Sequence, residues 1–358
     1  MLARRFAFAP AALFLSACID TSIVDSPTPI TFLPALETIT YDSLGGAKIA
    51  FQRFGTGAAS FSGVYVVDAS IPIPRAQSLL ANQALDRAQL SPDGFKLVFG
   101  GATGESSSIF DIFVVKLSDS TRTRLTSVVA NEEGSSWSMD GTQIFYYIRG
   151  NSITTLFRQS PVTNAADVVS TVLADSGGFQ WNIDGPLSPD AASRVLFSTY
   201  TQGFRLWATN IDGSSRVILK TDLSLVGPVF QAPTWSPDGT KIAFLQLNYD
   251  ANNRMTSTQL KTMNPDATGE TIIATVATPG TVFQSNSLTD FSVCYSGPTG
   301  TRIFFTAIGA DGSSHVYVVR PTGGPVFQVT TNSGTWDRGV SCKRGGVVLA
   351  LTERGVDR

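Results

Sequence analysis

One short stretch returns along this chain at nearly constant spacing, and it limits the fold more than any other feature. Its clearest copy is Trp235-Ser236-Pro237-Asp238-Gly239-Thr240-Lys241-Ile242-Ala243-Phe244. Ser, Pro and Gly at the first, second and fourth places are what a type I turn favours. Pro presets its φ, the Ser and Asp side chains bond local backbone, and Gly relieves crowding at the exit. Beyond the turn Ile242 and Phe244 alternate with small or polar neighbours, the period of a strand with one buried face. An aromatic, a tight turn and an alternating strand make a hairpin. With the turn Asp or its equivalent as marker, copies stand at Gly45, Asp93, Asp140, Asp190, Asp238, Thr299 and Gly345. Successive markers are 48, 47, 50, 48, 61 and 46 residues apart, the kind of period that signals a repeat fold.

A third strand follows the hairpin in six units, most clearly at 64–67, 112–115, 206–209 and 316–319. A polar turn and a short fourth strand close the unit, as at 124–126, 217–219 and 328–330. Four antiparallel strands per repeat predict a propeller blade, and the fold class is all-β. Ser91-Pro92-Asp93-Gly94, Ser138-Met139-Asp140-Gly141, Ser188-Pro189-Asp190 and Ser236-Pro237-Asp238-Gly239 resemble the WD-like repeat of the TolB propeller family. That resemblance spans roughly residues 37–352 and implies that each such turn joins the two innermost strands of a blade. It is degenerate at Leu44-Gly45-Gly46, at Ser296-Gly297-Pro298-Thr299-Gly300 and at Lys343-Arg344-Gly345-Gly346. TolB carries an α/β domain before its propeller, for which this sequence shows no room.

The last hairpin stops without a third and fourth strand, and Ile30-Thr31-Phe32-Leu33 is an unassigned strand candidate. Pairing the two would close a ring of seven blades and remove an open edge. Six blades, with the extra hairpin packed elsewhere, is the alternative. The expected organisation is a signal peptide over 1–17, a lipidated Cys and flexible tether over 18–29, and one propeller over 30–358.

The signal rests on Arg4 and Arg5, the short apolar run Phe6 to Phe14, and Leu15-Ser16-Ala17 before Cys18. The run is too short to span a bilayer, and the segment resembles the lipobox of bacterial lipoproteins. Cys18 would then be the lipidated first residue, facing periplasm or surface from the outer membrane. An ordinary cleaved signal is the other reading. Removing residues 1–17 takes two of 26 basic residues against 28 acidic ones. No basic stripe is left for nucleic acid. With Cys18 acylated, Cys294 and Cys342 remain for a disulfide in an oxidising compartment, though the repeat frame sets them one position out of phase.

No catalytic constellation is legible, and the expectation is a non-enzyme, most simply a monomer. The sole histidine, His315, opens a third strand beside Val316-Tyr317, and no Gly-x-Ser-x-Gly elbow occurs. Gly100 to Glu105 is glycine-rich but lacks the Lys-Ser/Thr ending and the helix of a phosphate loop. Asp212, Asp266 and Asp311 sit in turns without the spacing of a calcium loop, and Asp side chains there stabilise turns. No metal or other cofactor is expected.

One pattern points to a binding face. An acid or amide stands a few residues before each innermost strand's aromatic or its equivalent: Glu37, Asp86, Glu133, Asn182, Gln231, Asp290 and Asp337. These would ring one mouth of the central channel, and their negative potential would suit a basic protein or peptide of the envelope. Alternatively each bonds backbone N–H groups of its own blade. The functional expectation is a lipid-anchored interaction or scaffold module binding at that mouth. Two alternatives stand beside it. One is glycan or small-ligand binding through Trp181 and Trp336, and the other a lyase or hydrolase that uses carboxylates alone.

Overall fold

The computed structural model describes residues 47–55, 62–68, 76–81, 86–102, 110–127, 130–149, 154–161, 166–172, 194–200, 203–222, 227–282, 291–297, 299–331 and 334–344. The signal, Cys18, the tether, residues 30–33, Glu37, Trp181, Asn182, Asp290 and the 347–351 strand candidate lie outside them.

The strands in chain order are β1 (Lys48–Gly55), β2 (Ser62–Asp68), β3 (Ala76–Ala81), β4 (Gln89–Leu90), β5 (Lys96–Ala102), β6 (Phe110–Lys116) and β7 (Arg122–Arg124). β8 (Glu132–Trp137), β9 (Ile144–Arg149), β10 (Thr154–Gln159) and β11 (Ala166–Val172) follow, then β12 (Arg194–Tyr200), β13 (Phe204–Asn210) and β14 (Val217–Asp222). β15 (Val229–Trp235), β16 (Ile242–Tyr249), β17 (Arg254–Met263) and β18 (Thr271–Val282) make a complete blade. β19 (Val293–Ser296), β20 (Arg302–Ile308), β21 (Ser314–Val319), β22 (Phe327–Gln328) and β23 (Thr335–Cys342) end the series.

Among the described residues these strands sort into blade-like antiparallel groups in five hydrogen-bonded sheets, the first and sixth groups joined by one parallel bridge, Ser314↔Trp336. The second is β4–β7, the third β8–β11, the fourth β12–β14, the fifth β15–β18 and the sixth β19–β22. The first is assembled from both ends of the series, in the order β23-β1-β2-β3. β23 pairs antiparallel with β1, from Ile49↔Cys342 to Gly55↔Thr335, so this blade draws its strands from both ends of the described series.

The turns form as their chemistry dictates. In the fifth blade Gly239 N donates to Ser236 O at 2.9 Å, Ser236 Oγ donates to Asp238 Oδ1 at 2.6 Å, and Lys241 N donates to Ser236 Oγ at 2.9 Å. Gly239 sits at φ +71°, which a side chain would resist. The same bonds recur at Ser91/Asp93 and Ser138/Asp140. The turn carboxylates Asp212, Asp266 and Asp311 likewise accept from the N–H groups of Ser214, Thr268 and Ser313.

Packing repeats as faithfully as the turns. An aromatic of each second strand faces one of the third: Phe51 and Tyr65 (ring centroids 5.6 Å apart), Phe99 and Phe113 (5.7 Å), Tyr146 and Phe157 (5.4 Å), Phe197 and Trp207 (6.1 Å), Phe305 and Tyr317 (5.6 Å). Such cross-strand pairs contribute about 0.5–1.5 kcal/mol each beyond burial. The fifth blade departs, setting Lys261 opposite Phe244 and holding its ammonium on Gln246 Oε1 (2.7 Å) and Glu270 Oε1 (2.8 Å).

Neighbouring blades are stitched one repeat apart. Gly134 N donates to Asp86 Oδ2 at 2.5 Å, Trp137 Nε1 to Gln89 O at 3.1 Å, and Val340 N to Ser292 Oγ at 2.6 Å. Each spans 48 residues, and so does the disulfide joining Cys294 in β19 to Cys342 in β23. The cysteines are thus not turned apart as the repeat frame suggested. The β1–β23 pair carries a bulge opposite Ala50–Gln52, with Gly339 at φ +62°.

Candidate central channel

The innermost strands border a narrow cavity of about 30 Å³ that opens to solvent. The first, second, third and sixth blades line it with Leu90, Trp137, Val293 and Val340 on the apolar side and Gln89, Ser136, Ser292 and Ser341 on the polar side. Two arginines complete the lining. Arg87, just before β4, reaches from the second blade to the sixth, where its Nη2 lies 3.4 Å from Phe291 O. Arg344, just after β23, reaches across to two other blades. Its Nη2 donates to Thr234 Oγ1 of the fifth blade at 2.9 Å, and its Nη1 lies 3.5 Å from Met139 Sδ of the third. Both side chains are over nine-tenths buried. Burial pushes the Arg344 guanidinium down to about 10.

The carboxylates expected to ring the mouth are engaged elsewhere. Asp337 is fully buried and holds Arg53 through two bonds, Nε–Oδ1 at 2.6 Å and Nη2–Oδ2 at 2.7 Å, across the β1–β23 seam. Arg53 also lies over the Phe51 and Tyr65 rings. Asp86 binds the bulge N–H of Gly134 in the next blade, and Glu133 Oε2 lies 3.4 Å from Tyr147 Oη. Gln231 is buried, and its Oε1 finds no partner among the described residues. Asp86 precedes β4, and Glu133, Gln231 and Asp337 lie within the first three residues of β8, β15 and β23. A bulge next to Glu133 and Gln231 turns the strand locally, with Gly134 and Ala232 at φ +62° and +52°. Asp86 and Asp337 bond a backbone N–H of the next blade and the Arg53 side chain, not N–H groups of their own blades.

Other candidates resolve into blade interiors. His315 is buried, its Nε2 3.0 Å from Asp311 Oδ1. Trp336 packs half-buried against the core of the fifth and sixth blades. One cluster was not anticipated. Asp111 and Glu132 are buried together between the second and third blades; Arg124 pairs with Asp111, and Thr126 Oγ1 donates to Glu132. Burial pushes the Glu132 carboxyl up to about 7, and the Asp111 charge acts in the same direction.

Arg344 was missed because the last turn reads as a decayed copy. Its signal lies in the column it occupies. The residue before the marker is Leu44, Pro92, Met139, Pro189, Pro237 and Pro298 in the first six repeats, and Arg344 in the seventh.

No family profile and no curated protein matches the chain. Solved structures do. The crystal structure of TolB from Acinetobacter baumannii superposes with a TM-score of 0.62 at 15% identity, over 83% of this chain and 67% of that one. A chain of the nidogen–laminin complex gives 0.57 at 12% identity, over 84% and 100%. At such identities the likeness shows the fold, a TolB-type β-propeller.

Proposed function

We propose that this TolB-type propeller is a binding module of the bacterial cell envelope, anchored by lipid at Cys18, which receives a segment of a partner protein in its central channel. The observation that carries the reading is the mixed lining of that channel. Leu90, Trp137 and Val340 stand beside Gln89, Ser136 and two buried arginines, which suits a ligand with both apolar and polar parts. The structural engagement of Asp86 and Asp337 favours these walls over those two carboxylates as the binding surface. The paired carboxylates that catalysis would need, Asp111 and Glu132, are tied up inside the blades. The anchor rests on Arg4, Arg5, the short apolar run and Leu15-Ser16-Ala17 before Cys18.

A photo-crosslinking residue placed at Gln89, inside the channel, tests the reading in intact cells. It should give a discrete adduct with an envelope protein, absent when the same residue replaces Ile218 on the outer strand β14, which is 46% exposed. Equal adducts from both positions, or none from Gln89, would overturn it. Fatty-acid labelling that persists in Cys18→Ala would overturn the anchor alone.

A further inference from the structure

The repeats provide their own control for what the channel needs structurally. At the place before the turn marker, six repeats carry Leu, Pro or Met. Pro92 meets the turn of the third blade at Gly141, and Pro237 meets that of the sixth at Gly300. The last repeat alone puts a guanidinium there. Six residues before the marker the described copies are Gly134, Ala232, Val293 and Gly339, all small or apolar, except for Arg87. Both departures are arginines, and both line the cavity.

Arg344 is also under-used. Its side chain is 7% exposed and donates to one hydroxyl and one thioether, with no carboxylate among the described residues in ion-pair range. A buried cation without a counter-charge works against folding, since desolvation of the charge is not returned. Ser136 shows the same kind of vacancy. It lines the cavity at 2% exposure, and its Oγ finds no partner among the described residues. A guanidinium and a hydroxyl with spare donors, in one cavity, match the acceptors of a carboxylate. The apolar walls beside them suit the methylenes and backbone that a side-chain carboxylate brings with it.

We propose that the channel is a carboxylate site anchored by Arg344 and assisted by Ser136, and that it takes an acidic side chain from an extended segment of the partner. This rests on the reading of the channel as the partner site and names the group it recognises.

The test is anisotropy of a fluorescein-labelled hexaglutamate peptide titrated with the full chain, with hexaglutamine and free glutarate as competitors. The formal net charge of −2 gives the body no general attraction for a polyanion, so binding must come from a local site. The wild type should bind hexaglutamate, compete poorly with glutarate and ignore hexaglutamine. Arg344→Met, which copies the side chain of the third repeat, should weaken binding roughly ten- to a hundredfold, and Ser136→Ala roughly two- to tenfold. Arg344→Met should melt no lower than wild type, because an unpaired buried charge has been removed. Arg344→Met that melts lower while binding equally well would assign a purely structural role and overturn the proposal. Glutarate competing as well as the peptide would overturn the peptide as the source of the carboxylate. A Gln89 adduct that forms equally in wild type and Arg344→Met would refute this inference while leaving the channel reading intact. Loss of the adduct in both would remove the two together.

Discussion

The fifth blade and the first follow one plan with differently ordered chain. In the fifth, β15 to β18 run consecutively, and a six-residue connection, Ser236 to Lys241, closes the innermost hairpin. In the first, the innermost strand arrives from nearly three hundred residues away, and the hairpin turn is replaced by a meeting of two separate segments. The two blades are held accordingly. The fifth relies on local bonds of Ser236 and Asp238, whereas the first adds Arg53–Asp337 across the seam and Cys342–Cys294 to the blade behind it. Connectivity that is missing from the backbone is supplied by side chains.

That difference can be broken from its strongest side first. Asp337→Asn should destabilise by about 3–5 kcal/mol, because it strands the Arg53 charge inside the first blade. Replacing both partners with apolar residues should recover most of that loss in urea unfolding. If the single and double variants unfold alike, the seam does not depend on the pair.

Removing the disulfide, by Cys294→Ala with Cys342→Ala, should cost about 2–5 kcal/mol. Hydrogen exchange sharpens the contrast. Amides of β1 and β23 should lose protection before those of β15 and β16, and equal loss in both blades would show that the ring opens as one unit.

Smaller effects belong to the contiguous blades. Asp238→Ala should cost about 0.5–2 kcal/mol by analogy with helix caps. Its carboxyl is held below the usual carboxylate range by Ser236, with the Thr240 N–H adding to it. The contribution is thus present above the unfolded pKa and fades as pH falls through the lower, folded one. Acid melts of wild type and variant should converge there.

Glu132 has the opposite sign. Its folded pKa lies above the unfolded value of 4.5, at about 7, so the native state keeps a proton that the unfolded chain releases. Stability should fall as pH rises through that window, and Glu132→Gln should flatten the slope. A slope unchanged in the variant would move its origin elsewhere.

The turns, the repeat spacing and the strand alternation were legible because their causes are local. Ser236 acts on residues two and five positions away, so its role can be read from a short window. The seam was not legible for the opposite reason. Nothing in the neighbourhood of Ile49 or Cys342 marks them as partners. The partners of Asp86 and Asp337 were not legible because both lie far away in sequence, and the bulges beside Glu133 and Gln231 arise where Gly134 or Ala232 takes a positive φ. Arg344 needed the opposite habit of reading: what matters is where a repeat stops agreeing with itself.

The seam also decides how the molecule meets mechanical load. Lys343 N donates to Lys48 O at 2.8 Å, so the segments before residue 48 and after residue 342 leave the first blade side by side at one end. Tension between them would not shear β1 along β23; it would unzip the pair rung by rung, the weaker geometry, because bonds break singly instead of together. Just behind the Lys343–Lys48 bond comes the Ile49–Cys342 pair. Its cysteine is covalently fastened to β19, so the fork is blocked at its starting point and the pull passes into the sixth blade. Reduced protein would peel from that end at low force, and oxidised protein would have to yield as a ring.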